Sequence, residues 1–456
     1  MLSQLVSLLV PVGISLILLG AGLTGAARAA EPAPDFAAIQ KQMDAMRARQ
    51  DVLEEENAKL REQVGGLQGR LTPGVPGAPL PPVSANSPVG LAGFNKGGGG
   101  VYMKGEEYNF RLLGYAQAVG SVFDSRFDRA DENGDFSLRR ARIDFAADFY
   151  DDYSIFVEFD GGVSNAQTGQ SDFGLVEARI NWKLVEDDVQ LRAGKFIDPF
   201  STENFRSSRD LDTVERYMAL NSIFALPALD PQFGAMLHGV LGGDRNVGYY
   251  VALLNGSGRA NDNFSDNNGA KELVTKLTYS QPGFSAGLAF DLHNDESEVL
   301  SLTDLAFNNL VQVPVDGTRL GFGGDFLLER GRWSLRAEGL SFRFDGDESP
   351  PAGMAVQDGK VWVTGGFIQP AVFLRGDKSK GLQLLLRGEL ARLEADTGQN
   401  GDKLYALTLG ANWFVNPNVR LQVNGILQYF DGPSTLQPFA NDELVPLLLT
   451  ELQFKF

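Results

Sequence analysis

Short alternating strands separated by turn-forming residues are the feature of this sequence that most limits its fold. From Tyr108 onward no helical period persists, and sixteen candidate strands of about ten residues follow one another. Their connections alternate between short and long: Asp151-Asp152, Gly331 and Asn416-Pro417 are short, whereas the intervening ones are longer and rich in Asp, Asn and Gly. Segregation of loops by length is typical of a transmembrane barrel, which has short turns on one rim and long loops on the other.

The two faces of these strands differ in chemistry. On the second strand Ala141 and Ile143 share one face, opposite Arg140, Arg142 and Asp144. The strand at 174–185 alternates in the same way. An apolar face toward lipid and a charged face toward a lumen explain this pattern. We therefore predict an all-β fold, a sixteen-stranded antiparallel transmembrane β-barrel over residues 102–456, preceded by an N-terminal α-helical coiled coil.

The chain ends in LTELQFKF, which fits a closing strand. Alternation predicts that Leu452 and Phe454 face lipid and that Glu451 and Gln453 face the lumen. A terminal aromatic suits the interfacial girdle of a barrel. Phe456 also resembles the C-terminal signal that outer-membrane assembly machinery recognises, so this machinery is a predicted partner together with outer-membrane lipid.

The first thirty residues have the pattern of a secretory signal. An apolar run is followed by small residues, with Ala27-Arg28-Ala29 fitting a cleavage site, so residues 1–30 are predicted to be a signal peptide cleaved after Ala29 or Ala30. No Lys or Arg precedes the apolar run, which leaves an uncleaved membrane anchor as the alternative.

Residues 31–71 carry a heptad pattern. From Phe36 to Leu71 apolar positions recur in alternating steps of three and four, with polar Gln50 and Asn57 at a positions, where such residues fix register. This predicts a coiled-coil oligomerisation segment in the periplasm, whose strand number the seam alone leaves open. The alternative is a single amphipathic helix packed on the barrel. Residues 72–101 are dense in Pro and Gly and read as a linker.

Composition excludes several kinds of chemistry. The chain has no cysteine, only two histidines, His238 and His293, and a net charge of −18. Thiolate sites and cysteine nucleophiles are absent, and acidity argues against a nucleic-acid partner. DRADENGD loosely resembles a calcium loop, but its spacing fits no standard frame. We predict no enzyme activity, no cofactor and no metal site.

Five consecutive segments resemble one family. FSLRRARIDF, FVEFDGG, VEARINWK, AGKFIDPFSTENFRSSRDLDTVER and FGAMLHG, within residues 108–243, look like the phosphate-selective porin O and P family of outer-membrane channels. The resemblance implies a homotrimer of sixteen-stranded barrels in the bacterial outer membrane, each barrel with its own pore.

The resemblance also suggests site residues. It implies pore-lining, anion-binding roles for Arg140, Arg142, Arg179 and Lys183. It makes the segment from Asp198 to Gln232 the loop that narrows the pore, in which Arg206, Arg209 and Arg216 are the candidate constriction residues. Salt bridges that pin this loop to the wall are the alternative role for its charges.

Function follows from these expectations. The predicted function is passive diffusion of small hydrophilic solutes, including anions such as phosphate, through a water-filled channel. Acids at inward positions, among them Glu158 and Glu177, interrupt any basic ladder, so the expected anion preference is weak. The alternative is an outer-membrane tether in which the coiled coil links the barrel to the cell wall.

Overall fold

A computed structural model describes residues 92–95, 100–123, 134–165, 170–171, 173–223, 229, 231–256, 269–303, 309–347, 359–395, 402–431 and 443–456. The predicted signal peptide, the predicted coiled coil and most of the predicted linker lie outside these residues, as do Asp128, Asp131 and Asn133 of DRADENGD. Among the described residues no helix is long and apolar enough to cross a membrane.

The described residues form twenty strands and two short α-helices. The strands are β1 (Ala92–Asn95), β2 (Gly100–Lys104), β3 (Tyr108–Phe123), β4 (Gly134–Phe149), β5 (Tyr153–Asp160), β6 (Val163–Asn165), β7 (Gln170–Ser171), β8 (Gly174–Val185), β9 (Val189–Phe196), β10 (Gln232–Leu241), β11 (Val247–Leu254), β12 (Glu272–Gln281), β13 (Phe284–Thr303), β14 (Asn309–Arg330), β15 (Trp333–Asp345), β16 (Lys360–Asp377), β17 (Lys380–Ala395), β18 (Asp402–Asn416), β19 (Val419–Asp431) and β20 (Glu443–Lys455). The helices are α1 (Thr202–Phe205) and α2 (Met218–Ile223), with a 3₁₀ turn at Ser208–Asp210 between them.

Sixteen of the described strands, β3–β5 and β8–β20, form a closed antiparallel barrel. Each pairs with its neighbour along the chain, and β20 pairs with β3 to complete the ring. Closure leaves no strand edge in the hydrocarbon, as a membrane requires. The predicted sixteen-stranded barrel is confirmed.

Tight turns join alternate strands on one rim, the short-turn rim. Between β4 and β5, Tyr150 and Asp151 both have positive φ (51° and 60°) and reverse the chain between the paired residues Phe149 and Tyr153. Glycines meet the same need elsewhere: Gly331 (φ 59°) lies between β14 and β15. Because β3 begins and β20 ends at this rim, both ends of the barrel sequence lie there.

The connection expected between the ninth and tenth strands, the fifth long one, is in part a hairpin. We predicted that the ninth and tenth strands end at 293 and begin at 318, but β13 and β14 continue to Thr303 and from Asn309, paired with each other beyond the rest of the sheet. The sequence obscures this extension because the register shifts between Asp295 and Glu298. A bulge of this kind breaks the two-residue alternation on which the prediction depended.

The outer face is apolar, as predicted. Ile143, Ile180 and Trp182 are exposed on it, whereas Arg140 and Asn181 on the same strands are buried inside. The inner face departs from expectation, because it is charged on β4, β5 and β8 but apolar on much of β14–β20. The buried apolar residues of this inner half are Phe342, Phe344, Val361, Val363, Leu393, Leu404, Ile426, Leu447 and Leu449.

The closing strand packs its last residue against a glycine. The Phe456 amide donates to the Gly114 carbonyl (2.9 Å), and the Gly114 amide donates back to Phe456 (3.3 Å). A Cβ on Gly114 would approach the Phe456 ring to 2.7 Å and the Arg142 carbonyl oxygen to 2.8 Å.

Replacement of this glycine is expected to weaken closure. Gly114→Val forces the Phe456 ring and the strand away, at a cost of about 1 to 3 kcal/mol for overpacking. The variant barrel should unfold at a lower temperature in a heat-modifiability assay. Gly388→Val, on β17, is the matched control, because its Cβ would meet only the Ile368 Cγ2, at 4.0 Å. Equal unfolding temperatures for the two variants would contradict the role of Gly114.

Candidate pore constriction

The segment between β9 and β10 folds into the barrel. The first helix, α1, begins at a capped N-terminus: the Ser201 hydroxyl oxygen accepts a hydrogen bond from the Asn204 amide (3.0 Å). The carboxylate of Glu338 on β15 accepts hydrogen bonds from the Ser201 hydroxyl and the Glu203 amide (2.8 Å). A carboxylate at this position also favours the helix dipole, so the start of the loop is fixed to β15.

The middle of the loop is hydrogen-bonded to the opposite wall. Side chains of Asn412 on β18 and Arg420 on β19 donate to loop carbonyls (2.7 Å in both cases). The Val214 amide donates to Asn424 (2.8 Å), and the Met218 amide donates to Glu389 (2.7 Å). The loop therefore crosses the lumen and is held by several strands.

Apolar packing fixes the end of the loop. The Tyr217 ring lies 4.9 Å from the Phe367 ring, and its hydroxyl donates to Glu338 (2.9 Å). Ala219 fits against Gly365, where any side chain on Gly365 would collide with it. This explains the apolar inner half of the barrel: these side chains bury α2 instead of facing water.

Asp212 is the most highly connected charge of the loop. Its carboxylate lies 3.2 Å from Arg336, 3.4 Å from Lys378 and 3.5 Å from Arg206. Burial by itself would raise the pKa of Asp212, but these cations outweigh it and hold the pKa well below its usual value. Asp212 is therefore ionised and ties the loop to β15 and to the β16–β17 turn.

Glu215 ties the loop to β4. Its carboxylate accepts from Arg139 (2.6 Å) and lies 3.5 Å from Arg140. Two consecutive arginines reach the same carboxylate because the β3–β4 register shifts there: Gln117 pairs with Arg140 and Ala118 with Leu138, which leaves Arg139 as a bulge. Despite burial, the two arginines lower the pKa of Glu215.

A further group of wall charges lies on β4, β5 and β8. Arg142 binds Glu158 (2.6 Å) and Asp160 (2.8 Å), and Arg179 binds Glu177 (2.8 Å). These side chains keep between 7% and 22% of their surface exposed. In contrast, Arg387 on the apolar side is 1% exposed and binds Glu203. The partly exposed charges mark the side of the lumen that the loop leaves open.

The structure gives each predicted site residue a place. Arg140, Arg142 and Arg179 lie on the inner wall as alternation required, and Lys183 lies near Asp187 (3.4 Å) with 37% of its side chain exposed. Each of these cations is accompanied by a carboxylate, so the structure does not bring them together as an unpaired basic patch.

The three loop arginines also have nearby partners. Arg206 lies between Glu203 (3.1 Å) and Asp212, and Arg209 lies between Asp210 (3.7 Å) and Asp144 (3.8 Å). Arg216 is buried and donates to the carbonyl oxygens of Glu203, Asn204 and Arg206. It thus satisfies carbonyls at the end of α1, which have no partner within the helix.

Several residues of the constriction were missing from the sequence predictions. These residues lie on strands or turns more than a hundred residues further along the chain, and no local pattern links them to the loop: Arg336, Lys378, Arg387 and Arg420. Arg139 could have been included among the candidate pore residues, since it precedes Arg140 in FSLRRARIDF. Plain alternation placed it on the lipid face, and only the bulge turns it inward.

His238 takes part in packing and hydrogen bonding. The His238 Nε2 lies 2.7 Å from the Asn181 Oδ1, and the ring stacks on Tyr250 with centroids 6.0 Å apart. Among the described residues no group of three or more His, Asp or Glu side chains is arranged to hold a metal ion.

Asp198 at the base of the loop is expected to make loop anchoring depend on pH. Burial, with the nearby Asp291 charge, raises the pKa of Asp198 to about 7. The Asp198 carboxyl group therefore binds its proton more tightly in the folded loop than in the unfolded chain. The stabilisation of the loop by this protonation is complete below the unfolded pKa near 4 and is lost as pH rises through about 7.

Asp198→Asn should remove this dependence because the amide is neutral and still accepts from the Phe200 amide (2.8 Å in the native protein). Hydrogen exchange protection of residues 196–200 should fall between pH 5 and pH 8 in the native protein and stay level in the variant. Asp210→Asn, an exposed position, is the control. A variant with the native pH profile would show that Asp198 is not the titrating group.

Comparisons with known proteins agree with this geometry. The barrel is similar to OmpT of Vibrio cholerae (11% identity, TM-score 0.54, covering 78% of this chain and 99% of that one). It is also similar to the anion-selective porin from Comamonas acidovorans (12% identity, TM-score 0.53, covering 77% and 100%). Salmonella typhi OmpF, in a complex with daunomycin, gives 11% identity and a TM-score of 0.51, covering 80% and 100%. At such identities the likeness shows the fold alone.

Among curated proteins none matches the chain by sequence. The sequence profile of one family does: phosphate-selective porin O and P matches residues 115–456, which include most of β3 and all later strands of the barrel. The match extends the resemblance beyond the segments that first indicated it, into the C-terminal half. With the closed barrel and its inward loop, it identifies an outer-membrane channel for small solutes. The chain belongs to the phosphate-selective porin O and P family.

Proposed function

We propose that small hydrophilic solutes diffuse along the β4–β5–β8 side of the lumen and that the channel prefers anions only weakly. The observation that carries this proposal is the pairing of cations with carboxylates on that wall: Arg142 with Glu158 and Asp160, and Arg179 with Glu177. Selectivity for one sign of charge needs a ring of that sign, and paired charges largely cancel beyond their own separation. Phosphate is then one permeant anion among several.

Planar-bilayer recording of the purified protein tests this function. Open-channel steps that are ohmic, and solute uptake by proteoliposomes that falls with solute size, are the expected results. A protein that inserts fully, as judged by heat modifiability, but shows no conductance would overturn the proposal. The proposal assigns transport and no catalysis.

We further propose that the protein is a homotrimer with its coiled coil in the periplasm. The heptads of residues 36–71 and family membership support the trimer, and one similar structure is described as the trimer form of OmpT. The periplasmic position is supported by the start of β3 at the short-turn rim, which faces the periplasm in barrels of this kind. Light scattering of the detergent-solubilised full chain should give three copies, and a monomer would contradict this.

The C-terminal residue is proposed to direct assembly. Phe456 is at the short-turn end of the closing strand, and its loss removes about 1.5 to 3 kcal/mol of burial, which is too little to unfold a large barrel. Deletion of Phe456 should nevertheless reduce the amount of protein inserted in the outer membrane. Unchanged membrane yield would argue against recognition of this residue.

A further inference from the structure

The outer wall of β12–β15 contains a groove with a volume of about 700 Å³. Its floor consists of small residues: Gly324 pairs directly with Gly339, and Ala286 and Ala337 lie two pairs closer to the short-turn rim. Large apolar side chains stand around this floor. They are Leu277, Leu288, Tyr279 and Phe326, of which Leu288 is 73% exposed. The volume is within the range of pockets that bind small ligands.

The distance from the short-turn rim to the groove floor, measured along the membrane normal, corresponds to the thickness of one membrane leaflet. Gly324 lies six residues from Arg330 at the end of β14, or about 20 Å at 3.3 Å per residue. With a strand tilt of about 40°, this is about 15 Å along the membrane normal. Half of a hydrocarbon core of about 30 Å is the same distance. Only acyl chains or another protein surface are available at this depth.

Two cations lie at the short-turn rim, beyond the end of the groove. Arg330 and Arg332 flank Gly331, and both side chains are exposed. Neither makes an ion pair with a residue that the structure describes. Trp333, directly opposite Arg330 in the register, is 55% exposed on the outer face, where tryptophan marks the membrane interface. An apolar groove with two cations beyond its short-turn end, on the strands that form its floor, is complementary to a lipid with a negative headgroup.

We propose that this groove binds an anionic diacyl phospholipid of the periplasmic leaflet. One acyl chain lies on the floor formed by Gly324 and Gly339, and the headgroup phosphate lies between Arg330 and Arg332. A second copy of the chain is disfavoured as the occupant by topology. β13 and β14 are the ninth and tenth of sixteen barrel strands, on the far side from β3 and β20, where the chain enters and closes the barrel.

The glycine floor permits a clean test. A Cβ on Gly324 would lie 3.6 Å from the nearest atom of Leu288, and a Cβ on Gly339 would lie 3.8 Å from the Gly365 carbonyl oxygen, so larger side chains extend into the groove without a backbone collision. Gly324→Leu/Gly339→Leu should fill it. Gly388→Leu on β17 is the matched control, since it adds the same side chain to the outer wall outside the groove.

Native mass spectrometry of the full chain in detergent, with added dioleoyl phosphatidylglycerol or dioleoyl phosphatidylcholine, measures the binding. We expect one phosphatidylglycerol retained per chain, and an affinity about tenfold lower in the filled-groove variant but unchanged in Gly388→Leu. Arg330→Glu/Arg332→Glu should lower phosphatidylglycerol affinity about tenfold and leave phosphatidylcholine unaffected, because each arginine near an anionic headgroup contributes measurably to binding.

Three results would overturn the proposal. Equal phosphatidylglycerol retention by the filled-groove variant and Gly388→Leu would show that the groove is not the site. Equal binding of the two lipids, insensitive to the arginine reversals, would show that no anionic headgroup is recognised. Because the chain has no cysteine, Ala337→Cys also gives a unique thiol, and efficient disulfide cross-linking between copies would show that a second protein copy covers the groove.

Discussion

Asp212→Asn is expected to loosen the constriction loop and to shift the channel toward anions. The substitution keeps the shape of the side chain but removes the charge that Arg206, Arg336 and Lys378 share. Removal of one partner from a buried ion pair costs about 3 to 5 kcal/mol, and the half-exposed Lys378 places this site near the lower value. The loop amides near residue 214 should exchange faster by about two orders of magnitude, since each 1.4 kcal/mol is tenfold.

The electrical consequence of Asp212→Asn is separate from the loosening. Three cations lose a shared counter-charge, and the reversal potential in a salt gradient should move toward the anion equilibrium potential, more strongly at 0.1 M than at 1 M salt. Asp210→Asn removes the same charge two positions away, but this side chain is 52% exposed and its nearest cations are 3.7 Å and 3.8 Å away. Equal effects of the two variants would show that Asp212 has no special role.

Glu215→Gln is expected to give the second largest change in selectivity, with a smaller effect on loop stability. Arg139 loses a partner at 2.6 Å and Arg140 one at 3.5 Å, at the place where the loop approaches the open side of the lumen. Arg140 keeps its hydrogen bond to Gln117 (3.0 Å), and Arg139 is 24% exposed, so water replaces part of the lost interaction. We expect a destabilisation of roughly 1 to 2 kcal/mol.

Single-channel recording checks this second prediction. Anion permeability relative to cation permeability should rise in Glu215→Gln, and the rise should fade at high salt as the screening length shortens. Glu329→Gln makes the same chemical change near the short-turn rim, where Glu329 is 3.8 Å from Arg336 and 39% exposed. A Glu215→Gln channel with the native permeability ratio would show that Arg139 and Arg140 do not contact the permeation path.

Strand positions and faces could be predicted because they depend on local alternation. Ile143 and Ile180 face outward and Arg142 and Arg179 inward, as the two-residue period requires. The predicted strand at 174–185 has the observed bounds of β8. The segment that folds inward was predicted from its resemblance to a family motif and from the strand count.

Features that depend on long-range packing could not be predicted. The inner face of β14–β20 is apolar because it receives Tyr217 and α2, and the sequence of those strands does not indicate what will pack against them. Likewise the partners of Asp212 come from β15 and from the turn after β16, far away in the chain. The bulge at Arg139 reverses local alternation, and only the β3–β4 register reveals it.

The charges predicted for the pore were correctly oriented, but their partners decide their effect. Arg140, Arg142 and Arg179 reach the lumen, yet Glu215, Glu158 and Glu177 accompany them. Counting inward arginines therefore overstates the positive field in this channel. Pairing of cations with carboxylates on the open wall is the central claim of the proposed function.

The reversal potential of the native channel tests this claim most directly. In a tenfold gradient of potassium chloride across a planar bilayer, an ideally selective channel would reverse at about 59 mV. Because the wall charges are paired, the reversal potential of the native channel should be a small fraction of that value. At 0.1 M salt it should be displaced toward the chloride equilibrium potential, and near 1 M salt it should be close to zero. A potential that approaches the full value for either ion would contradict the account, because it would require a continuous field of one sign along the β4–β5–β8 wall.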